Sequence, residues 1–360
     1  MKILHLQTEL NLACGITRTI SQIIKNSSKE FEHHLIALGG NGLSRFETIN
    51  FNPKILNLNG FSLSGALKIY FFLLNYCKEH SIQIIHSHHR YFDTLVWFLK
   101  PVMKIKTITS VQSKVYNKKI FSYKADKLIA CSKTIKNHLL NKFKIGDNRI
   151  VVIYNAVDSA SIKPVTHNEQ LKKEISIGLE DFIIGFVGRI DYKEKGVDIL
   201  LDAFKALSKQ HLKVHLLLIG EGSNFNEVES YCGLNKSKAT LLSSKENIFD
   251  YYDLMDLIVL PSRVDPFPLT MIETGLMNRP LIGSNVDGIA EFIEHGVNGL
   301  LFESGNPDEL KQQIVKIIEN RKFGAALAEN LYNKVLESFT VQKIVPQYEN
   351  LYKLILNDAN

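Results

Sequence analysis

Short apolar runs alternate with amphipathic segments along nearly the whole of this 360-residue chain. The alternation is typical of βαβ units, in which parallel strands are connected by helices. The pattern pauses at a polar link, roughly residues 158–173, and then starts again. The predicted strands are Lys2–Leu6, His34–Leu38, Ile55–Leu58, Ile82–His86, Lys106–Val111, Lys127–Ala130, Ile150–Ile153, Phe182–Val187, Val214–Ile219, Thr240–Leu242, Leu257–Leu260, Leu281–Ile282 and Gly299–Phe302.

Two runs of this pattern predict an α/β protein with two doubly wound domains, at residues 1–160 and 174–340. A final helical pattern follows at Val341–Leu356. Such domains bind ligands beyond the carboxyl ends of their strands, so we expect the ligand site in a cleft between the two domains.

The stretch Pro261–Glu273 follows the buried strand Leu257–Leu260 and leads into a helix, with Pro268 predicted at the first helical position. Asp265 lies in the loop, and Glu273 lies about two turns into the helix. The two carboxylates are too far apart along the chain for a side-by-side acid and base pair, but they could bind the two ends of one extended ligand. A loop acid that caps the helix remains an alternative for Asp265.

Two cations follow the first strand of the second domain. Arg189 lies just beyond that strand and Lys195 lies six residues later, before the helix Val197–Leu207. They could converge on one diphosphate, although two ordinary surface charges would give the same pattern. The next strand ends in Ile219-Gly-Glu-Gly222, where glycine permits close backbone approach.

The charge is distributed unevenly. Residues 1–160 contain 22 Lys and Arg against 9 Asp and Glu, a net of +13, whereas the rest carries −7 of the overall +6. This asymmetry predicts an anionic partner for the first half. Solvated lysines on a helix buried against its sheet are the alternative. Twelve basic residues fall within 101–150, among them Lys104, Lys106, Lys114, Lys118, Lys119 and Lys124.

The four scattered cysteines have no metal-ligand spacing and suit a reducing compartment. We find neither a secretion signal nor an apolar window long enough to span a bilayer, so the sequence predicts a cytoplasmic protein.

Several short motifs occur together in a fixed order. They are Gly188-Arg189…Lys195-Gly196, Ile219-Gly-Glu-Gly222, Leu260-Pro-Ser262, Asp265-x7-Glu273 and Gly283-Ser284…Glu291…Gly296-x-Asn298-Gly299-Leu300. This ordered set resembles the donor domain of glycosyltransferase family 4, the retaining sugar transferases with the GT-B fold. The resemblance implies a hexosyltransferase-type enzyme (EC 2.4), and a C-terminal helix, residues 341–360, that crosses back to the first domain.

The resemblance also implies roles for residues of the second domain. Arg189 and Lys195 would bind the donor diphosphate and stabilise the leaving nucleotide. Glu273 would hold the ribose hydroxyls. Asp265 stands where the family usually has glutamate and would contact the transferred sugar. Further donor-binding residues would be Gly222, Phe267, Pro268 and Leu269.

The first domain matches the family more thinly. Cys14-Gly15-Ile-Thr-Arg18 resembles a Gly-Gly-x-x-x-Arg segment, which implies Gly15 near the donor and Arg18 near the acceptor. A simple surface charge is the alternative for Arg18. His88 would lie near the sugar and the acceptor as a catalytic residue, with His86 in the packing and His89 solvated. Gln112, where the family often has histidine, would bind the acceptor. The sequence predicts no metal site, because no carboxylate follows the histidines at ligand spacing.

The mechanism follows from these roles. The sequence has no confident carboxylate nucleophile and no Asp-x-Asp motif, so we expect metal-independent, front-side transfer from a nucleotide-diphosphate sugar, with no cofactor. Arg189 and Lys195 would stabilise the leaving group, and Asp265 and His88 would position the reacting groups.

The acceptor must account for the basic first half. We expect a saccharide or lipid-linked saccharide acceptor of bacterial surface polysaccharide or lipopolysaccharide synthesis, with the enzyme peripheral on the inner face of the cytoplasmic membrane. Alternatives are a sugar-nucleotide epimerase or a donor-binding pseudoenzyme of the same fold. A nucleic-acid-binding protein fits less well, because nucleic-acid motifs are absent from the sequence.

Overall fold

The structure, a computed structural model, describes residues 1–357 apart from 13, 118–120, 163–167, 211–212, 237 and 246. Lys118 and Lys119 of the basic stretch and part of the polar link lie outside the described residues. The strands are β1 (Lys2–Glu9), β2 (Glu32–Gly39), β3 (Lys54–Ile55), β4 (Ile84–Ser87), β5 (Lys106–Val111), β6 (Lys127–Ala130), β7 (Ile150–Val152), β8 (Phe182–Val187), β9 (Val214–Ile219), β10 (Ala239–Leu242), β11 (Leu257–Leu260), β12 (Leu281–Ser284) and β13 (Leu300–Phe302).

Helices connect most of these strands. They are α1 (Gly15–Asn26), α2 (Ser44–Glu47), α3 (Leu63–Glu79), α4 (Arg90–Leu99), α5 (Lys133–Phe143), α6 (Asn168–Glu174), α7 (Val197–Ser208), α8 (Phe225–Leu234), α9 (Phe249–Leu254), α10 (Leu269–Leu276), α11 (Asp287–Phe292), α12 (Pro307–Glu319), α13 (Arg321–Ser338) and α14 (Val341–Asn357).

The chain forms two compact units. The first unit is Met1–Ala156 together with α14, and the second unit is Val157–Thr340. Within the described residues, the first unit has a seven-stranded sheet in the order β3-β2-β1-β4-β5-β6-β7, and the second a six-stranded sheet in the order β10-β9-β8-β11-β12-β13. The strand pairs are parallel. The predicted α/β fold with two doubly wound sheets is therefore confirmed.

Strands β1 and β4 of the first sheet pack against helices on both faces, because successive side chains point to opposite sides. Leu4 and Ile85 lie in a core with Leu73 of α3. Ile3 and Ile84 lie in a different core with residues of α14, including Tyr348, Tyr352 and Ile355. The final helix therefore completes the first unit even though it follows the second unit in the chain.

Polar residues mark where several helices begin. The Ser62 side chain accepts a hydrogen bond from the Gly65 amide at the start of α3, and Ser132 does the same for Ile135 at the start of α5.

The residue that precedes α10 is a proline, Pro268. The prediction that Pro268 is the first helical residue is wrong, because its ψ of 136° is extended and the helix begins at Leu269. Pro268 is the residue that caps α10.

Candidate functional site

Each sheet has one point where the strand order reverses, and the candidate residues lie at these points. In the second unit, β8 pairs with both β9 and β11, so the loops after β8 and β11 leave neighbouring strands at the same edge. In open α/β sheets this edge is where ligands bind. Arg189 and Lys195 lie in the loop after β8, and Asp265 lies in the loop after β11. We call these residues, with Glu273 on α10, the donor-side cluster.

Hydrogen bonds join the loop after β8 directly to the loop after β11. The amides of Arg263 and Val264 donate to the Glu194 carbonyl, at 2.7 and 3.1 Å. The Arg263 guanidinium also forms two hydrogen bonds of 2.7 Å with the Asp198 carboxylate on α7. A bidentate pair of this kind fixes orientation as well as distance. Arg263 therefore fixes the two loops relative to each other, a role that no sequence motif indicates.

Glycine allows the loops to approach this closely. Gly196 has a φ of +62°, and a Cβ atom there would lie 2.1 Å from the Pro261 carbonyl oxygen. A Cβ atom on Gly222, a predicted donor residue, would lie 2.3 Å from the Ile190 carbonyl oxygen. Any side chain would force these backbones apart. The structural requirement at Gly222 is thus close packing against the loop after β8.

Lys195 and Asp265 form an ion pair. Lys195 Nζ lies 2.6 Å from Asp265 Oδ2, which also accepts a hydrogen bond of 3.2 Å from Ser262 Oγ. The Asp265 side chain is almost fully buried, whereas Lys195 is about a quarter exposed. The α10 cap involves no side chain, so Asp265 is not the helix cap that the sequence left open. Its carboxylate is instead held beside the lysine that we expect to contact phosphate.

Glu273 is buried on α10 and bonded to a tyrosine. Tyr252 on α9 donates its hydroxyl proton to Glu273 Oε2 at 2.7 Å, and both side chains are essentially inaccessible to solvent. The Tyr252 hydroxyl orients a carboxylate that would otherwise be costly to bury. No sequence motif indicates this partner, because Tyr252 lies in an ordinary amphipathic segment.

Phe267 and Leu269 lie beside Pro268 and are also buried. The Phe267 ring packs against Phe292 and Phe339 at centroid distances of 5.8 and 5.7 Å. The Asp265 amide contacts Asp287 Oδ2 at 3.2 Å. These contacts anchor the loop after β11 from its second side.

Arg189 lies at the exposed margin of the donor-side cluster. Its guanidinium pairs with the Glu194 carboxylate, and both side chains are about half exposed. Exposed pairs of this kind are weak and sensitive to salt. A bound diphosphate would compete with Glu194 for the same guanidinium.

We therefore expect Glu194→Gln to strengthen the binding of nucleoside diphosphates. The gain should be no more than about fivefold, because exposed ion pairs contribute less than about 1 kcal/mol. Calorimetric titration at low and high salt measures the effect, which should shrink as salt rises. Glu180→Gln is the matched control, since Glu180 is an exposed acid paired with Lys213 elsewhere in the second unit. An unchanged or weaker affinity in Glu194→Gln would contradict a phosphate role for Arg189.

The first unit reverses its strand order between β1 and β4, and His88 follows β4 directly. Gly15 begins α1 on the chain that leaves β1, with Cys14 as its extended cap. Arg18 lies in the first turn of α1 and is partly buried. Gln112 follows β5, the neighbour of β4, and is also partly buried. The four predicted residues therefore lie in segments that leave the carboxyl edge of one sheet.

His88 is 3% exposed and bonds through Nε2 to His5 Nδ1 at 2.9 Å. His86, its neighbour on β4, is also buried and contacts both Tyr352 and Ser110 at 2.8 Å. From the sequence, His89 is predicted to lie in solvent. That prediction is wrong, because His89 is partly buried and its Nδ1 accepts a hydrogen bond from the Tyr91 amide as the cap of α4.

Comparisons with known proteins agree with this fold. The family model described as Glycosyltransferase Family 4 matches residues 14–161, and that described as Glycosyl transferases group 1 matches residues 181–320. The chain is 29% identical to an uncharacterized glycosyltransferase of Methanocaldococcus jannaschii, with 94% of each chain covered. It is 24% identical to an O-antigen biosynthesis glycosyltransferase of Escherichia coli, with 96% of each covered. Among solved structures, Anabaena HepE in complex with UDP-glucose superposes with a TM-score of 0.84 at 19% identity, covering 98% of this chain and 100% of that one.

The two doubly wound units and these similarities define a transferase of the EC 2.4 type with the GT-B fold. The chain belongs to glycosyltransferase family 4, since the two family models together match the greater part of its length.

Proposed function

We propose that this enzyme transfers a sugar from a nucleotide-diphosphate sugar, with retention of anomeric configuration, to a saccharide or lipid-linked saccharide acceptor. The observation that carries the proposal is the donor-side cluster, in which two cations and two buried carboxylates lie around the reversal point of the second sheet. A diphosphate requires cations, and a ribose and a hexose offer hydroxyls to carboxylates. The HepE neighbour, whose complex holds UDP-glucose, supports this class of donor.

The charges in the donor-side cluster favour front-side attack. Of its two acids, Asp265 pairs with Lys195, and Glu273 is buried beside Tyr252. A double displacement needs a carboxylate free to attack the anomeric carbon. Lys195 and Arg189 would instead stabilise the leaving diphosphate, whose oxygen takes the proton of the acceptor hydroxyl. Catalysis of this kind depends on electrostatic stabilisation and positioning, and it needs no metal.

A nucleotide panel tests the proposal. Thermal unfolding is followed with UDP-glucose, UDP-galactose, UDP-N-acetylglucosamine, GDP-mannose and ADP-glucose, and with the matching diphosphates. Selective stabilisation by one nucleotide supports the donor site and identifies the base. The absence of any shift would refute it. Epimerisation of the selected donor without an acceptor would identify an epimerase, and binding without release of the diphosphate would identify a pseudoenzyme.

We propose a bacterial surface polysaccharide or lipopolysaccharide pathway for the acceptor. The O-antigen glycosyltransferase of Escherichia coli supports this class, because it matches almost the whole chain. We also propose that the enzyme docks on the inner face of the cytoplasmic membrane. No helix among the described residues has the length and apolar character needed to span a bilayer.

The docking surface we propose lies on α3 and α4, which pack together in the first unit. Leu63, Leu67 and Phe71 recur every four residues on α3 and are all more than half exposed. Trp97 and Phe98 on α4 are 40% and 52% exposed. Apolar side chains that stay exposed on adjacent helices indicate an interaction surface. Val102, Tyr116 and Phe121 from the neighbouring loops are exposed as well.

Basic side chains accompany these apolar groups. Lys68 on α3 and Lys104 after α4 are exposed, and Lys124 Nζ lies 5.3 Å from the centre of the Trp97 ring. A surface that combines aromatic groups with lysines complements an anionic leaflet, where each basic residue contributes about 1 kcal/mol.

We expect Phe71→Glu to weaken binding to phosphatidylcholine vesicles that contain phosphatidylglycerol by at least about tenfold. The substitution removes about 1.5–3 kcal/mol of apolar burial and adds an unfavourable charge. Sedimentation with vesicles measures the bound fraction. Leu234→Glu is the matched control, because Leu234 is 88% exposed on α8 of the second unit. Equal losses in both variants, or no binding by the wild-type protein, would refute this docking surface.

A further inference from the structure

Three histidines from three different segments form a hydrogen-bonded row in the first unit. His5 on β1 contacts His88 through Nδ1 and His33 on β2 through Nε2, each at 2.9 Å. Both nitrogens of the His5 ring are therefore occupied. The atoms at the two ends of the row, His88 Nδ1 and His33 Nε2, are buried and lack a hydrogen-bond partner among the described residues.

The row links the protonation sites of its members. A neutral imidazole carries one N–H donor and one acceptor nitrogen. If His5 Nδ1 donates to His88, His5 Nε2 must accept from His33, and the free His88 Nδ1 then carries a proton. If the direction is reversed, the free His88 Nδ1 is an acceptor. The direction of the hydrogen bonds of His5 thus determines whether the free His88 Nδ1 acts as a donor or as an acceptor.

All three rings are neutral near pH 7. Burial lowers the pKa of His88 to about 3 and that of His33 to about 4, and burial together with the neighbouring histidines lowers the pKa of His5 well below its usual value. His86 is also buried, with its ring centroid 4.1 Å from that of His88. The His86 ring packs against the row, while its two nitrogens contact Tyr352 and Ser110.

One ring nitrogen of each of His5, His86 and His88 lies within 4.8 Å of the others, so a metal ion is the competing explanation. The geometry favours hydrogen bonds. Two imidazole nitrogens on a tetrahedral zinc ion, with bonds of about 2.0–2.1 Å, would be about 3.3 Å apart. His5 Nδ1 and His88 Nε2 are 2.9 Å apart, the usual separation of a hydrogen bond. Both nitrogens of His86 already have partners.

We infer that His5, itself held by His33, is a positioning residue that fixes the ring orientation and the tautomer of His88 for sugar transfer. This inference rests on the proposed function and on the role that the family resemblance implies for His88, close to the transferred sugar and the acceptor. His5 acts only through His88, because both of its nitrogens are occupied by other histidines. Loss of its contact with His88 should lower turnover and leave donor binding in the second unit nearly unchanged.

Three substitutions of His5 separate its two contacts. His5→Asn places an amide near the former Nδ1 and preserves a partner for His88. His5→Gln places the amide near the former Nε2 and preserves a partner for His33. His5→Phe keeps a flat aromatic ring, somewhat larger than imidazole, and removes both contacts. Turnover is measured as diphosphate release from the nucleotide sugar that gives the largest shift in the panel.

We expect His5→Gln and His5→Phe to lower kcat by about 10- to 100-fold, with KM for the donor changed less than about threefold. His5→Asn should retain more activity than either. A role in packing alone predicts a different order, with phenylalanine, the only aromatic replacement of the three, best tolerated. Melting temperatures identify any variant that fails to fold, and the asparagine and glutamine variants then decide between the two roles.

Nitrogen-15 spectra of histidine-labelled protein test the tautomer directly. The wild-type spectrum should show His88 with one fixed protonated nitrogen, and His5→Phe should show a mixture of tautomers. An unchanged His88 signal in His5→Phe, wild-type turnover in that variant, or one equivalent of tightly bound zinc lost on substitution would each overturn the inference. The spectra need no substrate. A wild-type protein that turns over no donor would therefore refute the proposed function, while the spectra would still decide the role of His5.

Discussion

Glu273→Gln should weaken the binding of the selected nucleotide by at least about 100-fold. In the proposed donor site this carboxylate accepts hydrogen bonds from the two ribose hydroxyls, and bonds to a charged group contribute about 1.5–3 kcal/mol each. The glutamine amide has nearly the same size and still offers an oxygen to the Tyr252 hydroxyl, which now lies 2.7 Å from Glu273 Oε2. Calorimetric titration with the diphosphate measures the loss.

Tyr252→Phe is the matched control for that loss. It removes the hydroxyl that orients Glu273 but leaves the carboxylate itself, so we expect binding to fall by no more than about tenfold. Both variants nearly keep the volume of a buried side chain. The melting temperature of Glu273→Gln should therefore stay close to the wild-type value, whereas that of Tyr252→Phe should fall, because a buried carboxylate loses a hydrogen bond. Wild-type affinity in Glu273→Gln would show that the ribose lies elsewhere.

The sequence predicted the fold well where local patterns determine it. Apolar runs of four to six residues, such as Leu257–Leu260, predicted strands with accurate bounds because a strand buried on both faces must be apolar throughout. The same reasoning found the loops that hold Arg189, Lys195 and Asp265, since each follows such a run. The errors concern single residues whose conformation or exposure depends on local chemistry. Pro268 precedes its helix instead of beginning it, and His89 caps a helix although histidine is an uncommon residue type at that position.

The sequence could not reveal the partners of the site residues. Lys195 and Asp265 are 70 residues apart, and Glu273 and Tyr252 are 21 apart, so only the packed sheet brings them together. His5 was missed although a signal was present. In a doubly wound sheet β1 lies beside β4, and this adjacency places His5 opposite His86 in the register. Strand order, more than any local motif, was the missing information.

The exposed apolar side chains of α3 show a different limit of prediction from the sequence. Its pattern is helical and largely apolar, and the pattern alone does not show which faces of the helix are buried. The helix buries Gly65, Ile69, Leu73 and Cys77, whereas Leu63, Leu67 and Phe71 on another face remain in solvent. A helix that is apolar on more than one face is ambiguous until its neighbours are known.

Lys195→Met should lower turnover by about 100- to 1,000-fold, the second large effect that we expect. A cation beside the leaving diphosphate acts mainly in the transition state, where charge grows on the phosphate oxygens, and the loss of one such group has an effect of this size. Donor affinity should fall much less than kcat. Measurement of kcat and KM by diphosphate release separates the effect on turnover from the effect on donor affinity.

The same substitution leaves Asp265 buried without its cation, which destabilises the protein and could itself reduce activity. The double variant Lys195→Met with Asp265→Asn removes the uncompensated charge, and Ser262 Oγ can still contact the amide. We expect the double variant to regain most of the lost thermal stability and none of the lost turnover that depends on Lys195. Recovery of turnover together with stability would show that Lys195 acts only as a structural partner of Asp265.

Loss of turnover in a stable double variant would require a test of Asp265→Asn alone, in which Lys195 keeps its charge and is free to bind phosphate. If that single variant retains more turnover than the double variant, the difference measures the contribution of the Lys195 charge to catalysis.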